Sequence, residues 1–73
     1  PQGSSYARDI VLSAYRRIGT QRTIFELKEE ISKYALKNHS ETIAEAITDY
    51  YMNGYNASIL SRQIVKVLEG RLE

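Results

Sequence analysis

Gly54-Tyr55-Asn56-Ala57-Ser58-Ile59-Leu60-Ser61-Arg62 is the stretch on which the reading of this chain turns. A glycine here supplies a residue that ends a helix without steric cost. Asn56 or Ser58 then offers a side-chain oxygen to the free amides of a new helix. Asn53-Gly54 is also a pair that favours hairpin turns. Neither flank alternates with a period of two, so a hairpin is rejected. The stretch reads as helix end, short turn and helix start.

The downstream helix spans about 57–70. Ile59, Leu60, Ile64, Val65, Val67 and Leu68 cover more than half its circumference. Such a helix lies centrally in a core or is covered on its second side by a partner. Upstream, Ser40 caps a helix over 41–53, with Ile43, Ala46, Ile47, Tyr50 and Tyr51 on one side and Glu41, Glu45 and Asp49 on the other. Before that, Thr23-Ile24-Phe25-Glu26 is a capping box that opens a helix over 24–37, its buried stripe being Ile24, Leu27, Ile31, Tyr34 and Ala35. The first helix, 6–18, carries Tyr6, Ile10, Ala14 and Ile18 at four-residue spacing. Ser4 or Ser5 caps it, and Gly19 ends it. The expected fold is all-α: a compact bundle of four short helices, about 6–18, 24–37, 41–53 and 57–70, helix-turn-helix-like. Residues 6–73 form a single domain behind a polar, disordered tail of residues 1–5.

Seventy-three residues make one small domain, which buries only about 60% of its unfolded surface and is marginal in stability. Without cysteine there is no disulfide or thiolate metal site. No apolar run approaches the roughly 20 residues that span a bilayer, and no signal peptide is visible. An intracellular protein, cytoplasmic or nuclear, with no membrane association is expected. His39 is the lone histidine, so no metal set forms around it. No phosphate loop or carboxylate pair on an apolar face is present, so neither an enzyme nor a cofactor is expected. Asn38-His39-Ser40 and Asn56-Ala57-Ser58 match the glycosylation sequon by chance, both lying at helix caps.

Charge is unevenly placed. Arg8, Arg16, Arg17 and Arg22 make the start basic, whereas residues 23–55 hold three lysines against six acids. Arg16, Arg17 and Arg22 surround the first interhelical turn, where they are placed to clamp phosphates or simply to complement a helix C-terminus.

The segment from Gly54 to Arg62 resembles the turn and recognition helix of bacterial repressors, which read glycine, apolar, small polar, then a serine-arginine pair. Two positions depart from that pattern: Tyr50 stands where a small alanine is usual, and Gln63 where an apolar residue is usual. The resemblance implies that Ala57, Ser58, Ser61 and Arg62 face base edges and phosphates, with Lys66 near the backbone. The first three helices also resemble the core of winged-helix domains. In that register the reading helix is 40–53, whose Glu41, Glu45 and Asp49 oppose phosphate. That face instead suits a protein partner with a basic surface.

Two functions are therefore expected. The first is a small, non-enzymatic helix-turn-helix DNA-binding regulator. It reads DNA with Ser58, Ser61, Arg62, Lys66, Arg16, Arg17 and Arg22, and it dimerises through the broadly apolar fourth helix. The alternative is a protein-protein interaction module, an adaptor or inhibitor, acting through Glu41, Glu45, Asp49, Tyr51 and Tyr55. The remaining tyrosines, Tyr6, Tyr15 and Tyr34, read as edge-of-core residues.

Overall fold

The computed structural model describes the backbone of residues 2–72 and the side chains of residues 6–71. Four helices follow one another: α1 Gln2–Ile18, α2 Ile24–Ile31, α3 His39–Asn53 and α4 Ile59–Leu72. Two 3-10 turns, Lys33–Leu36 and Gly54–Asn56, join α2 to α3 and α3 to α4. The chain is thus the expected all-α bundle of four helices.

α4 packs against both α1 and α3, and α1 also meets α3. Ile10, Val11 and Ala14 of α1, Leu27 of α2, Ala46 of α3, and Leu60 and Ile64 of α4 meet in one core. Tyr15, Ile18, Ile24, Ile31, Ile43, Val67 and Leu68 close its rim. Each fully buried large aliphatic residue contributes about 1.5–3 kcal/mol relative to exposure. The apolar breadth of α4 is taken up mainly by two neighbouring helices of the same molecule.

α1 has helical backbone from Gln2, within the five residues expected as a tail. The side chains of the expected caps Ser4 and Ser5 lie outside the described residues. Gly19 follows the helix with φ 65°, the left-handed conformation expected of it. The capping box at α2 is formed as read: Thr23 Oγ1 accepts from the Glu26 amide at 3.1 Å, and Glu26 Oε1 accepts from the Thr23 amide at 2.8 Å.

The end of α2 differs from the sequence reading. The helix stops at Ile31 rather than near residue 37, because Ser32 is fully extended (φ −177°, ψ 163°). Its hydroxyl accepts from the Ala35 amide at 3.2 Å and donates to Glu45 Oε1 at 2.8 Å. Serine competes with helical hydrogen bonding through such local contacts. The break re-aims the 3-10 turn beyond it: Ala35 is buried, while Tyr34, expected in the core stripe, is 70% exposed. Thr42 Oγ1, itself buried, donates to the Ala35 carbonyl at 2.6 Å and fixes the 3-10 turn to α3.

α3 is capped by Asn38, two residues before the expected Ser40, with Asn38 Oδ1 accepting from the Glu41 amide at 2.8 Å. Its innermost line runs through Thr42 and Ala46. Ile47 and Tyr51, expected on one side of this helix with Ile43, Ala46 and Tyr50, are exposed. Ile47 is one residue, about 100° of helical rotation, beyond the small Ala46 at which α3 meets the core.

Candidate functional site

The first turn of α4 is organised by Asp49, which projects from α3. Its Oδ2 accepts from the Ser61 hydroxyl at 2.7 Å and from the Ser58 amide at 3.0 Å. Its Oδ1 accepts from Asn53 Nδ2 at 2.8 Å. The Ser58 and Ser61 hydroxyls also lie 3.0 Å apart. Burial pushes the Asp49 carboxyl up, but the hydrogen bonds from Ser61, Ser58 and Asn53 together outweigh this and hold it below the ordinary aspartate value. Ser58 is the N-cap of α4, its hydroxyl accepting from the Ser61 amide at 3.4 Å, and Asp49 braces that cap from α3.

This arrangement corrects the sequence reading at several residues. Ser61 is fully buried and does not face outward. Ala57 is buried as well, and Ser58 is half-buried with its amide and hydroxyl both engaged. Asp49 does not belong to a free acidic face, and Glu45 is held by Ser32. Of the three acids expected on one face, only Glu41 has no side-chain hydrogen bond among those described, and it is half-buried. Ser58-x-x-Ser61 beneath an upstream aspartate was the legible sign of this cluster.

The outward face of α4 carries Arg62, Gln63, Lys66 and Glu69 at helical spacing. With Tyr50, Tyr55 and Val65 they line a groove of about 250 Å³ at the junction of α3 and α4. Tyr55 stands on the 3-10 turn just before α4 and is 89% exposed. Arg62 Nε donates to the Ala57 carbonyl at 3.2 Å, which steadies its guanidinium against the start of the helix.

The arginines of the first turn divide. Arg17 Nε donates to Gln63 Oε1 at 3.1 Å, so the end of α1 reaches the groove-bearing face of α4. Arg16 is exposed next to it in sequence. Arg22 is paired with Glu30 of α2, and its carbonyl accepts from the Tyr15 hydroxyl. Arg22 therefore belongs to a local ion pair, while Arg17, Arg62 and Lys66 share the surface around Gln63.

Two further features stand outside the groove lining. Lys28 is only 4% exposed, and its Nζ stands 3.2 Å from His39 Nδ1. It makes no ion pair among the described residues. Burial pushes the Lys28 ammonium below the usual lysine range. The His39 imidazole is lowered by burial, then by the charges of Lys28 and Arg8. Lys28 shares the Ile24, Leu27, Ile31 stripe by its spacing, which is the sequence signal for its burial. Elsewhere, Ile47, Tyr51 and Met52 leave apolar surface open on α3, Tyr51 being 87% exposed.

Compared with known proteins, the chain matches no family model, no curated protein and no solved structure. No helix among the described residues is long and apolar enough to cross a membrane.

Proposed function

We propose that this chain is a small, non-catalytic DNA-binding regulatory domain that engages DNA through the outward face of α4 and the end of α1. The observation that carries the reading is the Arg17–Gln63 contact, which joins the basic end of α1 to the face bearing Arg62 and Lys66. Arg16, Arg17, Arg62 and Lys66 are the phosphate contacts in this reading. Ser58 and Ser61 contribute by fixing α4, not by touching DNA. Phosphate neutralisation supplies most of the sequence-independent affinity of such a surface. The test is filter binding to mixed-sequence DNA at about 50 mM salt, with Arg62→Ala and Lys66→Ala as variants. Weaker binding by both variants supports the reading; absence of binding, or binding indifferent to both, overturns it.

A second reading is favoured by the open apolar surface of Ile47, Tyr51 and Met52. Tyrosines of this kind anchor protein interfaces. In this reading α3 docks a basic protein partner, with Glu41 as the available acid. Retention of a lysine-rich peptide by the wild type, lost in Tyr51→Ala and Glu41→Lys, is its signature.

A further inference from the structure

We propose that the groove at the α3–α4 junction is a stacking site for an unpaired base, so that the preferred ligand is single-stranded nucleic acid. The inference rests on the DNA-binding reading and narrows it. A helix that reads duplex DNA presents the side chains of its first turn to base edges in the major groove. Here the small side chains expected in that role, Ala57, Ser58 and Ser61, are spent inside the protein. Ala57 and Ser61 are buried, and the Ser58 amide and hydroxyl are bound to Asp49 and Ser61. Beside them, at the start of α4, the aromatic ring of Tyr55 stands 89% exposed.

The groove combines the two elements that single-strand binding requires, an aromatic face and nearby cations. Tyr55 and Tyr50 supply the rings; Arg62 and Lys66 supply the charge. Gln63 adds a directional group. Arg17 Nε can only donate, so the atom it meets must be the Gln63 oxygen. The two amide hydrogens of Gln63 are left as donors, suited to a base carbonyl or ring nitrogen. A concave space of about 250 Å³ suits an unpaired base, which a duplex keeps stacked and paired. Glu69 at the same groove opposes a phosphate there, which favours the phosphate beside Arg62 and Lys66.

The test is fluorescence anisotropy with a labelled mixed-sequence 12-mer of about one helical turn, as single strand and as duplex, at about 50 mM salt. The single strand is expected to bind more tightly. Tyr55→Ala is expected to weaken it about 5- to 150-fold, the range for loss of one base–aromatic stack, while Tyr55→Phe retains affinity. Because Tyr55 is exposed, Tyr55→Ala keeps the fold, which far-UV circular dichroism verifies. Duplex binding that equals or exceeds single-strand binding, or single-strand binding unchanged in Tyr55→Ala, overturns the stacking site and leaves the DNA-binding reading standing. No binding of either form overturns both.

Discussion

The Ser61 hydroxyl donates to the Asp49 carboxylate at 2.7 Å, joining the middle of α3 to the first turn of α4 across the short Gly54–Asn56 turn. A single side chain on one helix thus sets the position of the next. The angle at which α4 leaves the turn, and hence the placement of Arg62 and Lys66, depends on this contact. Replacing Asp49 with alanine leaves the buried Ser61 hydroxyl and the Ser58 amide without this acceptor. An unsatisfied buried polar group costs about 1–3 kcal/mol. Asp49→Ala is expected to lower Tm by several degrees, since about 1 kcal/mol corresponds to roughly 4–8 °C for a domain of this size. Calorimetry or thermal circular dichroism reads this directly; an unchanged Tm would show that the contact does not hold α4.

The same carboxylate has a pH signature. Its value is lowered in the folded state, so its contribution is present above the unfolded aspartate pKa and is lost as pH falls through the folded one. His39 is also lowered. The unfolded histidine takes up a proton first as pH falls below its ordinary value, so stability is lost from there down through the lowered folded value. Protonation also removes the Nδ1 acceptor beside Lys28 Nζ and sets two cations 3.2 Å apart. Urea midpoints measured between about pH 7.5 and 5 should fall in the wild type, because the unfolded chain binds the histidine proton more readily over that range. In His39→Gln the decline should be smaller, and equal declines would exclude His39 as its source.

Lys28 is buried without a carboxylate partner among the described residues, and burying an uncompensated ammonium is unfavourable. Lys28→Met keeps the aliphatic stem against the core and removes the charge. It is expected to raise the urea midpoint, with the m-value unchanged. A lowered midpoint would mean that the Lys28–His39 contact outweighs the desolvation of the ammonium.

Two glycines make opposite predictions. Gly54 has φ 56° and ψ −126°, where an L side chain is strained, although a Cβ would meet nothing within 4 Å. Gly54→Ala is expected to destabilise by about 1–3 kcal/mol through backbone strain alone. Gly70 lies within helical α4, and a Cβ there also meets open space. Gly70→Ala is expected to stabilise by about 0.5–1 kcal/mol. Chemical denaturation of the pair separates the two effects.

In nucleic-acid binding, the arginines should not be equivalent. Arg22 is paired with Glu30, so Arg22→Ala is expected to leave affinity nearly unchanged and to cost stability no more than about 1 kcal/mol, as exposed pairs do. Glu69→Gln should strengthen binding by removing a negative charge from the groove, most clearly at low salt. Affinity titrations at two salt concentrations test both; a loss with Arg22→Ala equal to that with Arg62→Ala would contradict the division of the basic residues.

The four helices were legible because their information is local. Thr23 and Glu26, Gly19 and Gly54, and the spacing of Ile10, Ala14, Leu60 and Ile64 each act within a turn or two of chain. The candidate site was legible only in outline. Arg62 and Lys66 are recognisable from the sequence as outward residues of α4, and Tyr55 as an exposed ring.

Local hydrogen bonding and periodicity were enough to establish the helical class, the capping box at Thr23 and the glycine stops. Packing between helices was needed for the rest. It ended α2 at Ser32, whose hydroxyl found both a local amide and Glu45 of α3. It turned Asp49 from a surface acid into the brace of the Ser58 cap of α4, and Ser61 from a reading residue into a buried donor. It brought Arg17 to Gln63 while assigning Arg22 to Glu30. The physical reason is common to all of these. Serine, aspartate and arginine take whichever hydrogen-bond partner packing brings within reach, and for Ser32, Asp49 and Arg17 one such partner lies on another helix, beyond what periodicity along one helix encodes.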